Sequence, residues 1–253
     1  MTDSTVARAL RAELETAADE MIELAVELIR IPTVNPPGAE YRRCADVIGS
    51  KLGELGFEVE YVEAEGRPEH TTEHPRVNVV GTIVGDAPGP GLHVNGHYDV
   101  VPPGDGWTFD PFGGAIQDGR LCGRGSSDMK AGLVAGIFAL ASFRRAGVGF
   151  RGRLQVSATP DEESGGFAGV AHLAATGHID RDGTEYVIIP EPFGLDGISL
   201  GHRGVYWSRL TARGRTGHGS MPFLGGSAID DLTAEEEEEL LKYLAFLRFR
   251  SSS

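Results

Sequence analysis

Between residues 5 and 189 the hydrophobic period of this chain keeps switching, and that alternation constrains its fold more than any other feature. Val6, Leu10, Leu14, Ala17, Met21, Leu24, Ala25 and Leu28 fall at helical spacing. Pro32, Pro36 and Pro37 end that run. A second helix is expected over 40–55, with Gly56 suited to the position just past its end. Residues 57–62 alternate like a strand, and 77–84 and 92–95 are β-rich runs bounded by glycine and proline. Further on come a helix over 129–144 with a nearly continuous apolar face, a buried-type strand over 154–158, a helix over 166–175 and a strand over 186–189. Strand and helix in turn predict an α/β sheet covered by helices. Residues 102–128, rich in Gly, Pro and Asp, are long for a connection and point to a functional loop.

Near residue 200 the texture changes. Residues 204–212 alternate like a half-exposed strand and GRTGHGSMP breaks them, as in the start of a second, antiparallel-type domain. Thr233 and Glu236 then fit a capping box ahead of an amphipathic helix carrying Leu240, Tyr243, Leu244 and Leu247. That tail also concentrates charge. Residues 230–253 hold seven acids and three bases, so −4 of the chain's net −14 lies there. A chain this acidic is not expected to grip nucleic acid or an anionic membrane surface. No apolar stretch is long enough to span a bilayer. The charged N-terminus lacks the core of a signal peptide, and two cysteines make no disulfide scaffold. These features together imply a cytoplasmic protein.

Four acidic or imidazole clusters follow strand-like runs, where an α/β sheet presents its site. In NGHYDVVPP, His97 and Asp99 lie two apart and point to one side of an extended backbone. A ligating histidine usually has a carboxylate behind it, and the pair suits that role as well as a plain surface turn. In GRGSSDMKAG, the phosphate-loop spacing is absent, and Asp128 suits a helix N-cap as readily as a ligand. DEESGG places Asp161, Glu162 and Glu163 directly after an apolar strand. Neighbouring extended side chains face opposite ways, so one carboxylate could bind metal while the next faces substrate; a solvated acidic turn is the simpler reading. Glu191 follows a short strand between two prolines. His93 reads as a packed core residue, His70 and His74 as surface loop residues, and Cys122 as a small buried side chain.

Taken in order, NGHYDVVPP, GRGSSDMKAG, DEESGG and PEP resemble the motifs of the dinuclear zinc amidohydrolases and peptidases. That family includes acetylornithine deacetylase, succinyl-diaminopimelate desuccinylase, aminoacylase and bacterial glutamate carboxypeptidase. The resemblance covers about residues 15–229. It implies a mixed, mostly parallel sheet flanked by helices over 1–201, a partial α+β lid or dimerisation domain over 202–229, and an atypical acidic tail over 230–253. It implies that His97 and Glu191 bind one zinc, Asp128 bridges to a second, and Glu163 binds that second ion. Glu162 becomes the general base, Asp99 orients His97, and the Asp128–Met129 peptide is cis. His218, in TGHGSMP, would stabilise the oxyanion, and Arg203 or Arg213 would bind a substrate carboxylate. The implied cofactor is Zn²⁺, with Co²⁺ or Mn²⁺ as alternatives, and the substrate is a small N-acyl amino acid or peptide. Family members are longer, and the late histidine of their second zinc has no counterpart after His218 here. An active dinuclear enzyme, possessing a homodimer-forming lid in the family, and a catalytically weak one-zinc homologue are therefore both implied; a dizinc dipeptidase or carboxypeptidase is the related enzymatic alternative.

Overall fold

The computed structural model describes residues 3–194, 196–199 and 201, then 215, 220, 233–236, 238, 239, 241 and 242. The chain divides into two compact units, Met1–Gly197 and Ile198–Ser253. In the first, the helical period over 5–30 resolves into two helices, α1 (Asp3–Thr16) and α2 (Ala18–Ile29), separated at Ala17. Helix α3 (Tyr41–Glu54) follows, and Gly56 just past it adopts φ +85°, a left-handed conformation that glycine accepts without steric cost. Strands β1 (Glu58–Ala64), β2 (Arg76–Val84) and β3 (Ala87–His97) come next. The long loop contains a small hairpin, β4 (Ala115–Gln117) and β5 (Arg120–Cys122). Helix α4 (Ala131–Arg145), strand β6 (Arg151–Thr159), the short helix α5 (Val170–Ala175) and strand β7 (Tyr186–Ile188) complete the unit.

Five strands form one sheet in the order β1-β2-β6-β3-β7. Strand β2 runs antiparallel to both its neighbours, while β3 is parallel to β6 and to β7. Four of the five strands therefore share a direction. The sheet is mixed, with its parallel half at β6-β3-β7.

Side-chain alternation explains why this sheet takes helices on its faces. Val77, Val79 and Ile83 of β2, with Val94, Val156 and Ala158, bury against Cys44, Ile48 and Leu52 of α3 and Leu133, Ile137 and Ala141 of α4. Val80 points the other way and meets Val62 and Leu173 of α5. Helix α4 is apolar nearly all round because it lies between the sheet and the α1/α2 pair. In the second unit, Thr233 and Glu236 cap a helical turn reciprocally. The Glu236 amide donates to Thr233 Oγ1 at 3.3 Å, and the Thr233 amide donates to Glu236 Oε2 at 2.7 Å. No helix among the described residues is long and apolar enough to cross a membrane.

Candidate metal centre

Parallel strands end on one edge of a sheet, so residues just past β6, β3 and β7 are brought together by topology alone. His97 closes β3 opposite Thr159 of β6. Glu162 and Glu163 follow β6, Glu191 follows β7, and Asp128 arrives from the loop before α4. His97 Nε2 stands 3.0 Å from Asp128 Oδ1, 3.8 Å from Glu191 Oε1 and 3.9 Å from Glu162 Oε2. His97, Asp128 and Glu191 each offer one ligand atom, all within 4.8 Å of one another. One imidazole and two carboxylates without cysteine suit Zn²⁺, Co²⁺ or Mn²⁺ in a catalytic rather than a structural setting.

The electrostatics are those of a site short of positive charge. Burial opposes a charged His97, which is only 2% exposed. Its hydrogen bonds with Asp128 and Asp99 outweigh that and push the ring up to about 11. Burial lifts the Glu191 carboxyl to about 7; His97 opposes the rise, and the charges of Asp128 and Glu162 add to it. Glu163 is raised chiefly by burial and then by Asp128, whereas the hydrogen bond with His97 lowers Asp128. A divalent cation would relieve these carboxylates together.

Second contacts fix the histidine. Its Nδ1–H donates to the backbone carbonyl of Asp99 at 3.0 Å, with the Asp99 carboxylate 3.3 Å away. That leaves Nε2 free to ligate. The same fully buried carboxylate accepts the backbone amides of Glu162 and Glu163, at 3.1 and 3.2 Å. Below His97 on the same sheet face runs a buried polar ladder. His93 lies between Gln155 Oε1 (2.8 Å) and Ser157 Oγ (2.9 Å), and Asn95 donates to Ser157 Oγ.

Residues 93–203 match the profile of Peptidase family M20/M25/M40. Succinyl-diaminopimelate desuccinylase from Methylobacterium radiotolerans is 35% identical over 224 residues, 85% of this chain and 54% of that protein. The enzyme of the same name from Rhodospirillum centenum is 38% identical over 222 residues, 85% of this chain and 55% of that protein. Over residues 93–203, which hold the whole candidate centre, the chain is similar to the M20/M25/M40 peptidases. It spans about half the length of the curated relatives it matches. A likeness of fold extends to the di-peptidase Dug1p of Saccharomyces cerevisiae, with a TM-score of 0.62 at 22% identity, covering 72% of this chain and 40% of that one. Human carnosine dipeptidase 1 gives the same TM-score and coverage at 24% identity.

The structure also resolves what the motifs left open. Asp128 does not cap α4: its φ of −121° and ψ of 100° are non-helical, and its carboxylate meets His97. The Asp128–Met129 peptide is cis, as the resemblance implied. Glu162 and Glu163 do not diverge through strand alternation, because Glu162–Ser164 is a 3₁₀ turn. Glu163 is near Asp128 in charge but lies outside the three-ligand group. His70 and His74 are half-buried rather than on the open surface, and Cys122 is half-buried rather than buried. His218, Arg203 and Arg213 lie outside the described residues.

Two residues make supporting contacts that the motifs did not announce. Asn35 Nδ2 donates to Asp99 Oδ2 and to Ser164 Oγ, both at 2.9 Å, tying the first proline-rich bend to the site. Lys130 is fully buried and donates to the carbonyls of Leu28 and Ile31, at 2.8 and 2.9 Å, at the end of α2. A lone Asn and a Lys after a motif Asp carry no sequence signal of either role.

Proposed function

We propose that this chain carries the catalytic metal centre of a hydrolase that cleaves the amide bond of an N-acyl amino acid or small peptide. The convergence of His97, Asp128 and Glu191, with the Glu162 carboxylate beside them, carries this reading. His97, Asp128 and Glu191 hold one divalent cation, Zn²⁺ first and Co²⁺ or Mn²⁺ as alternatives. When bound, that cation polarises the scissile carbonyl and lowers the pKa of water. Glu162 stands outside the ligand group and keeps a side chain 54% exposed, within reach of solvent and substrate. It takes the proton of the attacking water and returns it to the leaving nitrogen. Asp99 orients His97 and, through the two backbone amides, Glu162 and Glu163. Glu163 and Asp128 are the ligands of a second ion, His218 the oxyanion partner, and Arg203 or Arg213 the carboxylate partner. The desuccinylase relatives favour an acylated over a free amine in the substrate, and a cytoplasmic setting and a homodimer complete the reading.

A screen of N-acyl amino acids against free dipeptides tests the substrate class. Glu162→Gln is expected to retain Zn²⁺ and lose about 10²–10⁴-fold in turnover, the usual worth of a positioned base. Unchanged turnover in that variant, or metal binding unaffected by His97→Ala, overturns the assignment. One observation favours a second reading, a metal-binding chain of weak activity. Among the described residues a single three-ligand group forms, and Glu163 stands apart from it.

A further inference from the structure

We infer that a buried ion pair behind the acidic turn, Arg76–Asp161, braced by Tyr41, is the device that holds Glu162 and Glu163 in register with His97. Arg76 and Asp161 are thus positioning residues, and this inference rests on the proposed role of Glu162.

The turn hangs on Asp161. Its φ of +62° is left-handed, a conformation that Asp tolerates better than most residues but does not prefer. Its carbonyl closes the turn by accepting the amides of Ser164 (3.2 Å) and Gly166 (2.7 Å). Its carboxylate is buried and fully engaged. Tyr41 donates its hydroxyl to Oδ1 at 2.9 Å, and Arg76 Nε donates to Oδ2 at 2.9 Å. Arg76 is in turn fixed: Nη1 donates to the His74 carbonyl at 2.7 Å, and the guanidinium lies 5.4 Å from the centroid of the Tyr41 ring.

Charge decides why an arginine is needed. Asp99 grips the inner side of the turn through the Glu162 and Glu163 amides. Asp161 grips the outer side, so two buried carboxylates hold the same few residues, beside four more at the metal centre. An unpaired buried Asp161 would be expelled or neutralised, and the turn would follow it. Arg76 supplies the one buried guanidinium against it, at 2% exposure, without touching His97, Asp128 or Glu191. The pair is placed for this by topology. β2 is antiparallel to β6, so the start of β2 lies beside the end of β6.

Hydrogen exchange at the Glu162 and Glu163 amides tests the clamp directly, on the whole chain with and without Zn²⁺. Asp161→Gly keeps the left-handed backbone and removes the carboxylate. Arg76→Met removes the charge at similar length, and Arg76→Lys keeps charge without the planar fork. Asp161→Gly and Arg76→Met are expected to speed exchange of these two amides by about tenfold or more, while amides of α4 hold their rates. Arg76→Lys is expected to fall between them and wild type. In assays, kcat falls and KM is little changed. Wild-type exchange in Asp161→Gly would show that the backbone conformation alone positions the turn and would overturn the inference. Uniform acceleration across the sheet would reduce the pair to a stability element and overturn it too. If Arg76→Met does not fold, Asp161→Gly and Arg76→Lys decide. Should Glu162→Gln keep full turnover, the base assignment fails by itself, because exchange still reports on the clamp.

Discussion

Replacing Gly132 with alanine puts a methyl group where the chain has no room for one, and the consequence should appear at the metal centre. Gly132 lies in the first turn of α4, and a Cβ there would stand 2.2 Å from the carbonyl oxygen of Pro190. Ordinary contact starts near 3.4 Å, so α4 and the Pro190–Glu191 segment must part by about 1 Å. Glu191 Oε1 is now 3.8 Å from His97 Nε2. Two donors each about 2.1 Å from one ion can be no more than about 4.2 Å apart. A retreat of about 1 Å therefore takes Glu191 beyond the reach of an ion held by His97. Overpacking of this kind costs about 1–3 kcal/mol, or about 2–12 °C in Tm for a chain of this size. The lost ligand should add a fall in Zn²⁺ affinity of about 10–100-fold or more. Gly136→Ala separates the two effects, since its one close contact would be the side-chain atom Val94 Cγ1 at 2.6 Å, with Pro190 Cγ at an ordinary 3.9 Å. It should lower Tm while leaving Zn²⁺ affinity near wild type. Competition with a fluorescent chelator, beside calorimetric melting, reads both quantities. Wild-type affinity in Gly132→Ala, or an equal loss in Gly136→Ala, would refute the reasoning.

Two further outcomes follow from the same geometry. Zn²⁺ at about 100 times its Kd should stabilise the chain by about 2.7 kcal/mol, about 5–11 °C in Tm, with one tight ion per chain; thermal melts that show no shift, or an equal shift in His97→Ala, would count against the centre. Burial holds the His93 ring below its ordinary value, with the Gln155 hydrogen bond opposing, so below about pH 6.5 the unfolded chain binds a proton that the folded chain resists. Stability from His93 is therefore full above that pH and lost as pH falls through the lowered folded value. Urea midpoints for wild type should drop between pH 7.5 and 5 by more than those of His93→Gln, and equal drops would place the cause elsewhere.

The alternation of periods was legible because it reports which face of each element is buried. It carried the helix–strand order of the main sheet and its covering helices, whereas the sheet's mixed character came from the family resemblance. It was blind where the local signal is conformational rather than hydrophobic. Nothing in the period marks the break at Ala17, since both helices turn apolar faces to the same core. The β4–β5 hairpin was hidden in a Gly-rich loop although Asp118 and Gly119 spelled its turn, and they adopt φ of +51° and +73°. Asp128 stayed ambiguous for a chemical reason. Helix caps and metal centres both want a short carboxylate before a helix, and only the backbone angles separate the two.

The centre itself divides along a similar line. His97, Asp128 and Glu191 could be proposed from sequence because each belongs to a short motif, and motifs survive without knowledge of register. Arg76 and Asp161 are 85 positions apart and belong to no common motif; what joins them is the register of β2 against β6. Asn35 meets Asp99 across 64 positions in the same way. Residues that touch the chemistry are constrained by what they must bind, which narrows their identity to a few types at fixed spacing. Residues that hold those side chains are constrained by where the fold delivers them and by the charge they must meet there, not by a fixed spacing from the site. Sequence spacing can show the first kind and not the second. A partner at position 76 that keeps a charge within reach of Asp161, as in Arg76→Lys, is thus expected to preserve part of the clamp, whereas no substitution at His97 should be tolerated.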